Sequence, residues 1–159
     1  MRTVDEGHCA APADVCFQVA ADVEDWVRIL PHYRWVTFRE KTGMGEGIVE
    51  MAAWRRFGPL PYPTWWVSRM TNLPAQRRIH YEHIDGITQG MRVEWAVDPD
   101  PAGGSRLKIV HEWEGPGWPL IGGFAARRVI GPHFVHVIAT RTLAGVAREA
   151  ERRASSDGR

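Results

Sequence analysis

Ala20-Ala21-Asp22-Val23-Glu24-Asp25-Trp26-Val27-Arg28-Ile29-Leu30-Pro31-His32-Tyr33 decides the fold, because the hydrophobic period changes within it. Before it, Val15, Cys16, Val19 and Ala20 recur at helical spacing with Phe17 beside them. Pro12 suits the first turn of that helix, where no N–H is needed. Asp22 followed by Asp25 resembles a capping box with Asp in place of Glu or Gln, and starts a second short helix over 23–30. Pro31 stops it. From Tyr33 onward the period is two.

Working outward, residues 3–10 predict a first strand. Six more follow at 33–41, 47–57, 64–71, 77–85, 91–98 and 106–114, separated by turns rich in glycine, proline and asparagine. Connections this short make consecutive strands antiparallel. An apolar loop, Trp118-Pro119-Leu120-Ile121-Gly122-Gly123-Phe124, reads either as a lid or as packed core. A long helix is expected over 132–153, carrying Phe134, Val137, Ile138 and Val146. Residues 1–153 form one domain, and 154–159 are expected to be a disordered tail. The long helix is the one element able to cover the concave face of such a sheet, giving an α+β fold.

Composition narrows the function classes. Twenty basic against nineteen acidic residues leave a formal net charge of +1, so no concentrated basic face for nucleic acid is expected. No apolar run approaches the ~20 residues needed to span a bilayer, and the first residues lack the apolar core of a signal peptide, which predicts a cytoplasmic protein. Cys9 and Cys16 fit no metal pattern and read as small buried hydrophobes in a reducing compartment. Eight tryptophans suit the walls of an aromatic or lipidic pocket.

Strand alternation assigns faces. Met91, Val93, Trp95 and Val97 face inward from one strand, and Leu107, Ile109, His111 and Trp113 from the next. His111 is then either a core histidine tied to a backbone carbonyl or a polar group offered to a ligand. Trp66, Ser68 and Met70 are taken as inward, as are Tyr81 and His83. His80 and His83 fall on opposite faces, so they do not share a metal ion, and no metal site is expected. The glycine-rich 42–47 stretch lacks the Lys-Ser/Thr ending of a phosphate loop and reads as a turn.

The stretch Ala20–Trp26, followed by Leu30-Pro31-His32-Tyr33, resembles the helix-grip superfamily of START-like domains, birch-pollen-allergen-like proteins and polyketide aromatase/cyclases. That resemblance covers roughly residues 3–150. It implies a seven-stranded curved antiparallel sheet wrapped around a long C-terminal helix, with two short helices after strand 1. It also implies that Trp26, Tyr33, Trp66, Trp95 and His111 line a pocket. Those cyclases are thought to use an inward arginine shortly after a segment like Trp66-Val67-Ser68. Here the inward position is Met70, while Arg69 points outward unless a bulge shifts it.

These readings give two functional expectations. The first is a polyketide cyclase/aromatase-like protein holding a polyketide or aromatic ligand, with Tyr33 and His111 as acid and base and Arg69 as a carbonyl polariser. Its ligand walls are Trp26, Trp66, Ser68, Met70, Tyr81, Trp95, Trp113, Phe134 and Ile138. The alternative is a non-catalytic lipid or quinone carrier, with the 118–124 loop as gate and transient membrane contact. Either acts as monomer or homodimer on a hydrophobic small molecule, with no metal or organic cofactor.

Overall fold

The computed structural model describes the backbone of residues 1–57, 60–115 and 135–157, and the side chains of all of these except 55–57, 60–62 and 157. The 118–124 loop, Phe134 and the expected helix start at 132 lie outside the described residues.

The chain begins with strand β1 (Arg2–Cys9), helix α1 (Ala13–Ala21), a 3-10 turn (Val23–Asp25) and helix α2 (Trp26–Ile29). Pro12 caps α1, with the Cys16 N–H donating to its carbonyl at 3.1 Å. The Leu30 N–H closes α2 on the Trp26 carbonyl at 2.7 Å, and Pro31 lets the chain turn into a strand. Strands β2 (Tyr33–Gly43), β3 (Glu46–Phe57), β4 (Leu60–Leu73), β5 (Arg78–Gly86), β6 (Arg92–Pro99) and β7 (Ser105–Glu112) follow, then helix α3 (His136–Asp157). They make a seven-stranded sheet in the order β1-β7-β6-β5-β4-β3-β2, antiparallel throughout.

The two largest departures from the expected boundaries, each of four residues, have physical reasons. β4 begins at Leu60, although Pro61 and Pro63 read as turn residues. The β5 ladder ends at Gly86 opposite Trp66, so the first residues of β4 lie beyond that neighbour. A proline missing its N–H is tolerated where no ladder bond is required. α3 also continues past residue 153, so 154–157 are helical rather than a disordered tail. Ser155 and Ser156 hydroxyls donate back to the carbonyls of Glu151 and Arg152 at 2.8 and 2.9 Å, a local bond that suits a final helical turn.

α3 packs most closely on β1 and α1, and Leu30 nestles against Gly145, where a Cβ would lie 2.1 Å from its Cδ2. Cys9 and Cys16 are fully buried, free thiols whose sulfurs lie 2.8 Å apart. Burial above all, reinforced by the hydrogen bond with Cys9, pushes the Cys16 thiol up to about 12, so Cys16 stays a protonated, uncharged thiol. At the far end of α3 the buried Glu149 carboxylate takes hydrogen bonds from Arg152, Arg153 and Arg28 at 2.8–3.0 Å, tying the helix to α2.

The Arg152 hydrogen bond, helped by those of Arg153 and Arg28, holds the Glu149 carboxyl well below its ordinary value of 4.5. A depressed folded-state value gives stability that is full above the unfolded value and lost as pH falls through the folded one. Denaturant midpoints measured from pH 7 downward should therefore fall below about pH 4.5 in the wild type, and Glu149→Gln should show a lower midpoint at pH 7 with a shallower decline.

Candidate functional site

Between α3 and the concave face of β2–β7 lies a cavity walled by rings and aliphatic side chains. Trp26 from α2, Tyr33 from β2, Trp66 from β4 and Trp95 from β6 line it, together with Tyr81 and His83 from β5 and His111 from β7. Each strand presents these residues because alternate positions share a face. Successive ring centroids lie close: Trp95 to Trp26 at 5.7 Å, Trp26 to Tyr33 at 5.2 Å, Tyr33 to Trp66 at 6.2 Å and Trp66 to His83 at 5.9 Å. Two of these contacts are edge-on and the last is stacked, arrangements that complement the ring quadrupole. The Trp26 indole N–H donates to the Val19 carbonyl at 3.2 Å, which fixes the arc to α1. Tyr33 can lie over the sheet because Ala53 stands opposite it on β3.

The polar groups in this wall are few and held in place. His83 and Thr88 share a 2.6 Å hydrogen bond between Nδ1 and Oγ1, both residues being buried. Their turn is tied by the Gly90 N–H to the His83 carbonyl at 2.8 Å and by the Met91 N–H to the Thr88 carbonyl at 3.0 Å. Gly86 adopts φ +92° at its start, where a Cβ would lie 2.5 Å from the Trp65 carbonyl oxygen. Thr142 of α3 gives its hydroxyl proton to the Ile138 carbonyl at 2.8 Å, so its oxygen accepts from His32 Nε2 at 3.0 Å. Among the described lining residues none carries Asp, Glu, Lys or Arg. Burial, and secondarily Tyr33, raises the Tyr81 hydroxyl well above its ordinary value of 10, so it keeps its proton.

The structure brings together Trp26, Tyr33, Trp66, Tyr81, Trp95, His111 and Ile138 of the expected site. Ser68, Met70 and Trp113 are buried but do not line the cavity. Met70 reaches the β2–β3 hairpin, with its Cε 3.6 Å from where a Gly45 Cβ would be, and the Trp113 indole donates to the Gln89 carbonyl at 2.9 Å, bracing the Thr88 turn. Arg69 is corrected as a catalytic residue: it points outward and pairs with Glu82 at 2.8 Å. The register shift beside it, between Val67 and Ser68, places the extra residue on β5, so β4 keeps its parity and Arg69 stays outside. Met51, His83, Thr88, Met91, Val93, Ile109, Val135, Ala139 and Thr142 join the wall without having been named for it. The inward parity of His83 was legible, whereas Thr88 sits in a turn, where solvent exposure is the usual expectation. Among the described residues no three His, Cys, Asp or Glu side chains converge as a metal set, and no helix is long and apolar enough to cross a membrane.

Residues 9–131 match the family model described as polyketide cyclase / dehydrase and lipid transport. The chain belongs to this family. The Zhui aromatase/cyclase from Streptomyces sp. R1128 has a similar structure, with TM-score 0.81 and 25% identity over 96% of this chain and 94% of that one. One half of the di-domain ARO/CYC BexL superposes with TM-score 0.69 at 23% identity, over 95% of this chain and 46% of that one. A START superfamily protein from Mycobacterium smegmatis gives TM-score 0.65 at 14% identity, covering 98% of this chain and 97% of that one. These establish the helix-grip fold foreseen from the Ala20–Tyr33 stretch. No curated protein sequence is significantly similar to the chain.

Gly86→Ala should destabilise the protein by about 1–3 kcal/mol or more, since a side chain at this φ adds strain to a backbone clash. Urea unfolding reads the loss, and a midpoint equal to wild type would show that the turn does not hold the His83–Thr88 pair rigidly.

Proposed function

We propose that the chain binds an uncharged polyketide or aromatic ligand in this cavity and promotes its intramolecular aldol closure and dehydration. The observation that carries the reading is a wall of aromatic and aliphatic side chains whose polar groups are hydroxyl, imidazole and indole, with no Asp, Glu, Lys or Arg among its described residues. Buried apolar walls favour a flat, neutral ligand, and an ionised one would lose its hydration without a partner. Folding a flexible poly-ketone against such a wall brings reacting carbons together and removes much of the entropic barrier.

Tyr33 and His111 serve as the acid and base. His111 takes a proton from a methylene flanked by carbonyls, and the carbanion's electron pair forms the new bond to a ketone carbon. The ketone oxygen takes a proton from Tyr33 and becomes a hydroxyl. In the dehydration the Tyr33 phenolate takes the second α-proton and the His111 imidazolium protonates the departing hydroxyl, which leaves as water, so the ring becomes unsaturated and both residues return to their starting forms. The cavity measures about 60 Å³, room for a few waters rather than for the ~300–1,000 Å³ of an ordinary ligand pocket. Binding accordingly displaces wall side chains, with Met51 and Met91 the most adaptable of them.

The second reading, a carrier for a neutral lipid or quinone, uses the same cavity. The outward Arg69 favours it, since no cation reaches the cavity from that strand. A poly-β-keto thioester analogue separates the two. Under the cyclase reading wild type yields a cyclised product, and His111→Ala lowers its rate by about 10²–10⁴-fold with only a modest loss of affinity. Equal small losses of rate and affinity would remove His111 from the chemistry, and tight binding without turnover would favour the carrier.

A further inference from the structure

The Tyr81 hydroxyl stands apart from the other polar atoms of the cavity. Tyr81 is 6% exposed, and its oxygen has no hydrogen-bond partner among the described residues. A buried hydroxyl left without a partner loses its hydration with nothing in return, which native structures rarely tolerate without a ligand or water to meet it. The neighbouring positions sharpen the point. Tyr81 lies directly across from Met70, which occupies the inward place beside outward-facing Arg69, and His83 lies across from Ser68. Two positions along β5, the His83–Thr88 pair shares the same wall.

We propose that the Tyr81 hydroxyl is the cavity's carbonyl site, an uncharged donor that takes the ketone or enol oxygen of a neutral ligand on the strand facing Met70. This rests on the cavity being the ligand site. Tyr81 is then a specificity residue: it selects flat molecules bearing a carbonyl, and does so without a cation that would also draw in carboxylates. Its raised proton affinity fits this part, because a hydroxyl that stays protonated remains a donor at any working pH. Burial strengthens the bond it makes, since few competing waters reach it.

The test compares 2-acetonaphthone with 2-ethylnaphthalene, which differ by a carbonyl in place of a methylene. The variant Tyr81→Phe removes a single oxygen that no described protein group uses, so its stability should equal or exceed wild type. Expected are tighter binding of the ketone by wild type than by Tyr81→Phe, by about 3- to 10-fold, and no loss for the hydrocarbon. With 13C-carbonyl-labelled ketone, the bound C=O stretch should lie at lower wavenumber in wild type and return toward the unbonded position in Tyr81→Phe. Binding of both compounds with an unshifted stretch in wild type, or a stretch unaffected by the substitution, overturns the Tyr81 assignment and leaves the cavity reading standing. Failure of wild type to bind either compound overturns both.

Discussion

A curved sheet with one apolar face buries it only if another element crosses that face, and α3 is the element that does so. It packs most tightly toward β1 and α1, where a Gly7 Cβ would lie 3.6 Å from the Leu143 Cβ, and Leu30, at the end of α2, seats against Gly145. Toward β3–β6 the facing surfaces are spanned by rings instead. Large flat side chains fill most of that space but cannot close it as aliphatic chains do, and the remainder is the cavity. Fold and site thus come from one packing decision. The cluster around Glu149 anchors the far end of the same helix and fixes its approach.

The second constraint is strand parity. Because alternate residues face opposite sides, one position separates a guanidinium in the cavity from one in solvent. Arg69 lies on the solvent side and Met70 on the core side. The described lining therefore takes its hydrogen-bonding groups from tyrosine, histidine, threonine and tryptophan, with no lysine or arginine among them. That composition favours neutral ligands and makes proton movement, rather than charge pairing, the chemistry available to the described residues. It also links the two functional readings: a cavity that solvates carbonyls with neutral donors can hold a quinone as readily as it can hold a poly-ketone.

Much of this was legible in the sequence. The helix-to-strand handover at Pro31 and Tyr33 fixed the order of elements, and the clean alternation at Met91–Val97 placed Val93 and Trp95 correctly. Parity also put Tyr81 and His83 inside and Arg69 outside. It assigns a face, however, and not a height along the strand. Ser68, Met70 and Trp113 are inward and buried yet do not line the cavity. Thr88 was hidden because it belongs to a turn, and the tightening of that turn by Gly86 and Gly90 depends on long-range contacts that no local pattern records. The last turn of α3 was missed because its serines read as tail, although their hydroxyls close onto the helix itself.

Native mass spectrometry on the protein after incubation with cell extracts, with each retained compound identified, tests the central claim most directly. The account predicts retention of a neutral, carbonyl-bearing polyketide or aromatic molecule, whose mass falls by one water on standing if the cyclase reading holds. Selective retention of a fatty acid, phospholipid or other anionic species would contradict it, because no lysine or arginine stands among the described lining residues to pair with such a charge.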